Sequence, residues 1–157
     1  MKRKSKAAIS ADEFRVHARQ AFAFLQDLGF VETLTPTATP TNPWAVWFAS
    51  PSTRILVEGI NFGLNSRVAM GSAQGERFEN YDLDDLINVR RQAAGDTSER
   101  SSRPAGQLVQ LPYYSALLQQ VGEDVLRGDH TVFPSLAARV EARRAEFAAG
   151  QPPKTEA

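Results

Sequence analysis

Residues 44–70 read WAVWFASPSTRILVEGINFGLNSRVAM, and this stretch determines which fold we expect for the chain. Its β-branched and aromatic residues fall into short runs at 44–49, 54–60 and 66–71, which are separated by residues typical of turns. Runs of this composition and length are typical of β-strands. The connections between them are too short to hold a crossover helix, so consecutive strands must run antiparallel. The stretch therefore predicts an antiparallel meander sheet.

The first run, Trp44–Ala49, is predicted to be a central strand. Its two alternating sets of side chains are both apolar, so both faces of the strand need cover from water. We therefore interpret Trp44 and Trp47 as core residues. Residues 30–34 can form one more short strand, which gives a sheet of three or four strands.

Helical periodicity flanks the sheet. Ser10 followed by Glu13 has the form of a helix-capping box, and Gly29 lies where a left-handed C-terminal cap is expected. After the sheet, Asp82 is a predicted N-cap of a short helix that runs to about Ala93. The fold class that follows is α+β, because helices and strands are segregated along the chain.

Two more helices are predicted near the C-terminus. Helical spacing returns from Gln107, and apolar residues three and four apart continue to Val125 and predict the first helix, with Pro112 in its first turn. The last helix is expected to begin near Pro134. Its apolar contacts are predicted to come from Phe133, Leu136, Val140 and Phe147. We expect the N-terminal and C-terminal helices to pack together on one face of the sheet.

Length and composition predict a single domain. A chain of 157 residues can bury its own core, and the absence of cysteine excludes disulfides and thiolate zinc sites and fits a cytoplasmic location. We expect residues 1–9 to be a disordered basic tail, residues 10–149 to form the domain, and residues 150–157 to be a second disordered tail. The polar segment 94–106 has no periodicity and is expected to be a mobile loop.

Charge argues against two classes of partner. Eighteen basic and eighteen acidic residues give no formal net charge, so no global field favours nucleic acid or an anionic membrane. Aromatic residues on an open sheet face can stack on bases, and Arg54 and Arg67 lie on predicted strands beside such residues. The apolar stripes of the helices need the same sheet surface for burial, so we predict no nucleic-acid partner and no membrane partner.

Acidic residues after the sheet form the strongest candidate site. They are Glu76, Glu79, Asp82, Asp84 and Asp85. Converging carboxylates can bind a hard cation such as Mg²⁺, but consecutive residues at a helix start point in different directions, and capping already explains the aspartates. We predict no cofactor here. We interpret these residues as a partner-binding surface, with the segment 94–106 as a second contact.

Two histidines are the available general bases. His17 lies at the edge of an apolar helical stripe and is interpreted as a packing residue, whereas His130 follows Asp129 in a loop. The chain contains neither the G-x-S-x-G pattern of hydrolases nor a phosphate-binding loop. We interpret the loop as a helix-to-helix turn. The alternative is a small enzyme or ligand-binding module with a pocket between sheet and helices, near His130 or the acidic segment 76–85.

Several phrases of the sequence carry a resemblance to a known group of proteins. They are Leu25-Gln26-Asp27-Leu28-Gly29-Phe30, Arg54-Ile55-Leu56-Val57, Tyr81-Asp82-Leu83-Asp84-Asp85-Leu86-Ile87 and Leu126-Arg127-Gly128-Asp129. In these phrases, and in its order of helices and strands, the chain resembles small uncharacterised bacterial proteins, including immunity proteins of polymorphic toxin systems. The resemblance implies a cytoplasmic, non-enzymatic protein that binds one protein partner, such as a cognate toxin. A homodimer is compatible with this function.

Overall fold

The computed structural model describes residues 9–36, 39–61, 64–100 and 102–150. Of the tails predicted at 1–9 and 150–157, residues 1–8 and 151–157 lie outside the described residues. Helices and strands occur in the order α1 (Ala11–Ala21), α2 (Phe24–Asp27), β1 (Val31–Thr33), β2 (Ala45–Ala49), β3 (Thr53–Ile60), β4 (Asn65–Ser72), β5 (Tyr81–Asp82), α3 (Leu83–Ala93), α4 (Gln107–Val121), α5 (Glu123–Leu126) and α6 (Phe133–Ala149). The α+β class is confirmed.

The strands form one antiparallel sheet whose spatial order, β1-β2-β3-β4-β5, is the order of the chain. The meander predicted from residues 44–70 is therefore confirmed. The predicted count of three or four strands was too low, because β5 pairs with Ala69 and Met70 over only two residues. A strand this short has no alternation of polar and apolar residues that a sequence pattern could show.

Alternation along the strands divides the buried side chains between two unequal clusters. The side chains on one sheet face join the main core with the helices; they are Val46, Phe48, Ile55, Val57, Val68 and Met70. On the opposite face, Trp47, Leu56 and Ala69 are buried in a small separate cluster with Ala45 and Phe78. Both faces of β2 are thus covered, as predicted, but only one of them is covered by helices.

The helices that cover the sheet differ in part from the predicted N-terminal and C-terminal helices. Helix α1 packs against β2, while α3 and α4 pack against β4. Helix α6 packs beside α3, and its Phe133 ring contacts Tyr81 at the edge of the sheet with 5.0 Å between ring centroids. Leu136 is its one buried side chain, and Phe147 is 70% exposed. The prediction that Phe147 supplies one of the apolar contacts of the last helix was therefore wrong.

Local signals set the ends of the N-terminal helices. The Ser10 hydroxyl accepts a hydrogen bond from the Glu13 amide at 3.1 Å, as the capping box predicts. Gly29 has φ 85°, and the Phe30 amide donates to the Leu25 carbonyl at 3.0 Å, which closes the helix in a Schellman arrangement. The helix is interrupted after Ala21, so it forms α1 and α2 rather than one continuous segment.

Helix α4 begins at Gln107, where the helical spacing is predicted to return, and two glutamines attach its first turn to the β3–β4 hairpin. The Gln110 Oε1 accepts the Ser66 amide at 2.7 Å, and the Ser66 hydroxyl donates to the Gln107 carbonyl at 2.9 Å. Pro112 consequently lies inside the helix rather than in its first turn. In the described part of the chain, no helix combines the length and apolarity needed to cross a membrane.

Candidate functional site

The sheet face that the helices leave uncovered carries a groove of about 480 Å³. Leu56 forms part of its floor, Phe78 from the β4–β5 loop lies along it, and residues 39–42 from the β1–β2 loop also line it. The groove exists because loops, rather than a helix, cover this face of the sheet. We refer to this site, with lining residues Thr39–Asn42, Leu56, Glu58, Glu76–Phe78 and Asn80, as the sheet groove.

The two tryptophans pack on opposite sides of the sheet. Trp47 is 4% exposed, and its ring meets the Phe78 ring edge-on with 4.8 Å between centroids. Trp44 packs against the main core and donates its Nε1 hydrogen to the Ile9 carbonyl at 3.1 Å. The prediction that both indoles are used in internal packing is confirmed. Ile9, which we assigned to the N-terminal tail, packs against the core.

A network centred on Arg67 holds one end of the sheet groove. Its guanidinium donates to Glu58 at 3.0 Å, to Asp82 at 2.8 Å and to the Asn80 side chain at 2.7 Å. The Asn42 amide donates to the other oxygen of Glu58 at 3.2 Å, which connects the β1–β2 loop to the same network. Asn80 has φ 61°, a left-handed conformation that costs energy for a residue other than glycine unless its surroundings hold it. The groove is therefore built on fixed polar contacts.

The structure separates the five acidic residues that we predicted as one surface. Glu76 is exposed in the lining of the sheet groove, and Glu79 is exposed nearby, where it accepts the Ser72 amide at 2.7 Å. Asp82 binds Arg67 and also caps α3 through the Asp84 amide at 2.8 Å. These three residues belong to the groove side of the sheet.

The other two predicted acidic residues lie against different elements. Asp84 pairs with Arg100 of the segment 94–106 at 3.2 Å. Asp85 is buried and pairs with Arg143 and Arg139 of α6. Among residues 9–36, 39–61, 64–100 and 102–150, no group of three or more His, Asp or Glu side chains is arranged to hold a metal ion.

His130 is part of a buried connection between the sheet and the helices. Its Nε2 lies 2.9 Å from the Thr53 hydroxyl, which itself donates to the Val125 carbonyl at 2.9 Å. Because the single hydroxyl proton is used by Val125, the His130 Nε2 must be the donor to Thr53. The imidazole also stacks on Phe133, with centroids 4.3 Å apart and planes at 7°. These contacts indicate a structural role for His130, because its hydrogen-bond partner Thr53 is fully buried.

The carboxylate of Asp129, the residue before His130, forms its hydrogen bonds within its own turn. Its carboxylate accepts hydrogen bonds from the Thr131 hydroxyl and from the Thr131 amide, the latter at 3.0 Å. These bonds lower the pKa of Asp129 below its ordinary value. The other predicted base, His17, is a half-buried residue of α1. The structure therefore does not assemble His130 and Asp129 into an acid–base pair.

The segment 94–106 is tied to α3 and α4 by arginines. Arg91 binds the Asp96 carboxylate at 3.2 Å, Arg100 binds Asp84, and Arg103 lies 3.4 Å from the Tyr114 hydroxyl. Hydrogen bonds from Ser98 are the largest cause that lowers the pKa of Asp96 to about 2. No periodic signal in the sequence predicts these contacts, because they depend on single long side chains that join the segment to the helices before and after it.

No family model, no curated protein and no solved structure matches this chain. Function must therefore be argued from the geometry of the chain itself.

Proposed function

We propose that the protein is a non-enzymatic, stoichiometric binder of another protein, of the bacterial immunity or accessory type, and that the partner occupies the sheet groove. The observation that carries the proposal is the sheet face covered by loops alone, with a groove of about 480 Å³ along it. Concave surfaces that combine an apolar floor with polar walls are typical of recognition sites. The absence of cysteine supports placing this function in the cytoplasm.

The chemistry of the groove fits a protein partner. The partly buried Phe78 ring offers apolar contact, while Glu76, Arg77 and Glu79 stand exposed at the rim. Buried contacts at the centre of an interface provide most of the affinity, and charged residues at the rim mainly provide specificity. The Arg67 network fixes the groove before binding, so little ordering entropy is lost when a partner docks.

A second candidate function is that of a small enzyme or a ligand-binding module, either of which binds a small molecule. The volume of the sheet groove lies within the range of small-molecule pockets, and its lining includes Glu76 of the acidic segment 76–85. The other pocket location considered for this function, near His130, has less support because the His130 ring is engaged by Thr53 and Phe133.

The test of the proposal is a binding titration between the full chain and the product of the adjacent gene. A rim variant exchanges two exposed charges, Glu76→Lys with Arg77→Glu. A matched control exchanges the exposed pair on α5, Glu123→Lys with Arg127→Glu, which preserves net charge and the option of an ion pair. We expect one-to-one binding that the rim variant weakens by about tenfold and the control leaves unchanged, since rim charges act on specificity and encounter.

Two outcomes would contradict the proposal. Binding that survives the rim exchange at undiminished affinity would place the contact elsewhere on the protein. The absence of binding to the adjacent gene product, combined with saturable binding of a small molecule that perturbs Trp47 fluorescence, would favour the ligand-binding function.

A further inference from the structure

A second recess lies where the C-terminal end of α3 meets α6, and it shares no lining residue with the sheet groove. Its volume is about 300 Å³. The side chains that line it are almost all hydrogen-bond donors; they are Asn88, Arg91, Gln92, Asp96, Thr97 and Arg139. A donor-rich recess of this kind is suited to an acceptor ligand.

The one carboxylate that lines the recess, that of Asp96, already accepts hydrogen bonds from neighbouring residues. One Asp96 oxygen accepts the Ser98 amide at 3.0 Å and the Ser98 hydroxyl at 2.6 Å, and the other accepts the Arg91 Nε at 3.2 Å. These contacts keep Asp96 ionised and offset its charge with that of Arg91. Asp96 therefore does not neutralise Arg139.

Arg139 has hydrogen-bonding capacity that its neighbours do not fill. Its Nε is buried and has no hydrogen-bond partner among the described residues, and it lies 3.5 Å from Asp85 Oδ1. The same Asp85 oxygen accepts a hydrogen bond from Arg143. One carboxylate thus faces two guanidinium groups, and because it hydrogen-bonds Arg143 and only approaches Arg139, the charge of Arg139 is incompletely offset.

The charges near the recess favour an anion on balance. The C-terminal end of α3 contributes a partial negative charge of about half an elementary charge, which is smaller than the charge of the Arg139 guanidinium. Planar guanidinium groups bind carboxylate and phosphate oxygens through paired hydrogen bonds. We infer that the recess between α3 and α6 binds a compact oxyanion, a carboxylate or a phosphate group, with Arg139 as its principal contact.

The experiment is a calorimetric titration of the full chain with inorganic phosphate and, separately, with acetate. Sodium chloride keeps the ionic strength constant, because nonspecific screening must not count as binding. We expect saturable binding of at least one anion. Arg139→Gln should weaken it about tenfold or more, which is the loss expected for one charge-assisted hydrogen bond. Arg144→Gln is the matched control, since Arg144 is an exposed arginine of the same helix that pairs with Glu141.

A second variant separates binding from folding. Gln92→Leu removes a neutral donor from the recess and leaves the Asp85 pairs with α6 intact, so it should lower affinity severalfold without loss of thermal stability. Tighter binding of phosphate would identify the ligand as a phosphate group, and tighter binding of acetate would identify it as a carboxylate. The inference is overturned if neither anion gives a saturable signal above chloride, or if Arg139→Gln binds as tightly as the wild type.

Discussion

Replacing Thr53 by valine tests whether His130 is a structural residue. Thr53 begins β3 and is fully buried, and its hydroxyl donates to the Val125 carbonyl and accepts from His130. Valine has nearly the same shape but lacks the hydroxyl, so the substitution removes both hydrogen bonds and leaves the packing volume almost unchanged.

The expected loss of stability depends on whether each group that loses its hydrogen bond to Thr53 has another partner. The Val125 carbonyl also accepts the Gly128 amide at 3.0 Å, so it keeps one donor, and loss of the Thr53 hydrogen bond to it costs about 0.5–1.5 kcal/mol. His130 is half-buried and can donate to water instead, so its loss adds at most about 0.5–1 kcal/mol. We expect Thr53→Val to lower the free energy of unfolding by about 1–2 kcal/mol, which corresponds to a Tm lower by roughly 2–8 °C for a domain of this size.

The assay is urea unfolding followed by tryptophan fluorescence, with thermal unfolding by circular dichroism as a second measurement. Thr53→Ser keeps the hydroxyl and should recover most of the stability, which separates hydrogen bonding from packing. Thr131→Val, an exposed neighbour of His130, is the control and should change stability by less than about 0.5 kcal/mol. A Thr53→Val protein as stable as the wild type would refute the structural role of His130 and reopen a role in chemistry.

Three further predictions follow from other contacts. Asp85→Asn should weaken the attachment of α6 to α3 and lower the free energy of unfolding by about 1–2 kcal/mol. This is less than the full cost of breaking a buried ion pair, because Arg139 and Arg143 are partly exposed. Hydrogen exchange in α6 should become faster. Phe147→Ser should leave the free energy of unfolding within about 0.5 kcal/mol of wild type, since this ring is 70% exposed, and a larger loss would show that the ring is buried in solution. The pKa of Asp96 is depressed from 3.8 to about 2, so its contacts to Ser98 and Arg91 should persist at pH 4 and be lost as the pH falls towards 2; NMR titration of the Asp96 carboxyl carbon measures this directly, and a midpoint near 3.8 would contradict the hydrogen-bonded turn.

The parts of the fold that the sequence predicts are those where a local pattern repeats. The alternation in residues 44–70 fixes the meander, and the capping signals at Ser10 and Gly29 fix the ends of the first helical segment. The pattern fails where structure depends on partners distant in the chain. The attachment of α4 to the sheet depends on Gln110 reaching Ser66, 44 residues earlier, and no periodicity within α4 records that contact.

Only some of the charged residues of the candidate site could be predicted from the sequence. The segment 76–85 contains residues of the sheet groove, but the sequence could not show that Asp85 turns towards α6 while Glu76 stays in the groove. Arg67 was considered only as a possible contact for bases, although in the structure it joins Glu58, Asn80 and Asp82. Its role depends on the register that places Arg67 opposite Glu58 in the β3–β4 pair, and register is a property of the folded sheet.

The apolar character of both faces of β2 explains why a groove exists at all. A strand with Val46 and Phe48 on one face and Trp47 on the other must be covered twice, and the helices cover the first face alone. Phe78 shields Trp47 from the second side, but a single loop residue cannot span the width of the sheet as a helix does. The surface left between this loop and residues 39–42 is the sheet groove. A Phe78→Ala protein should therefore expose Trp47 and shift its fluorescence to longer wavelength, and an unchanged emission maximum would show that the second face is covered by something other than this ring.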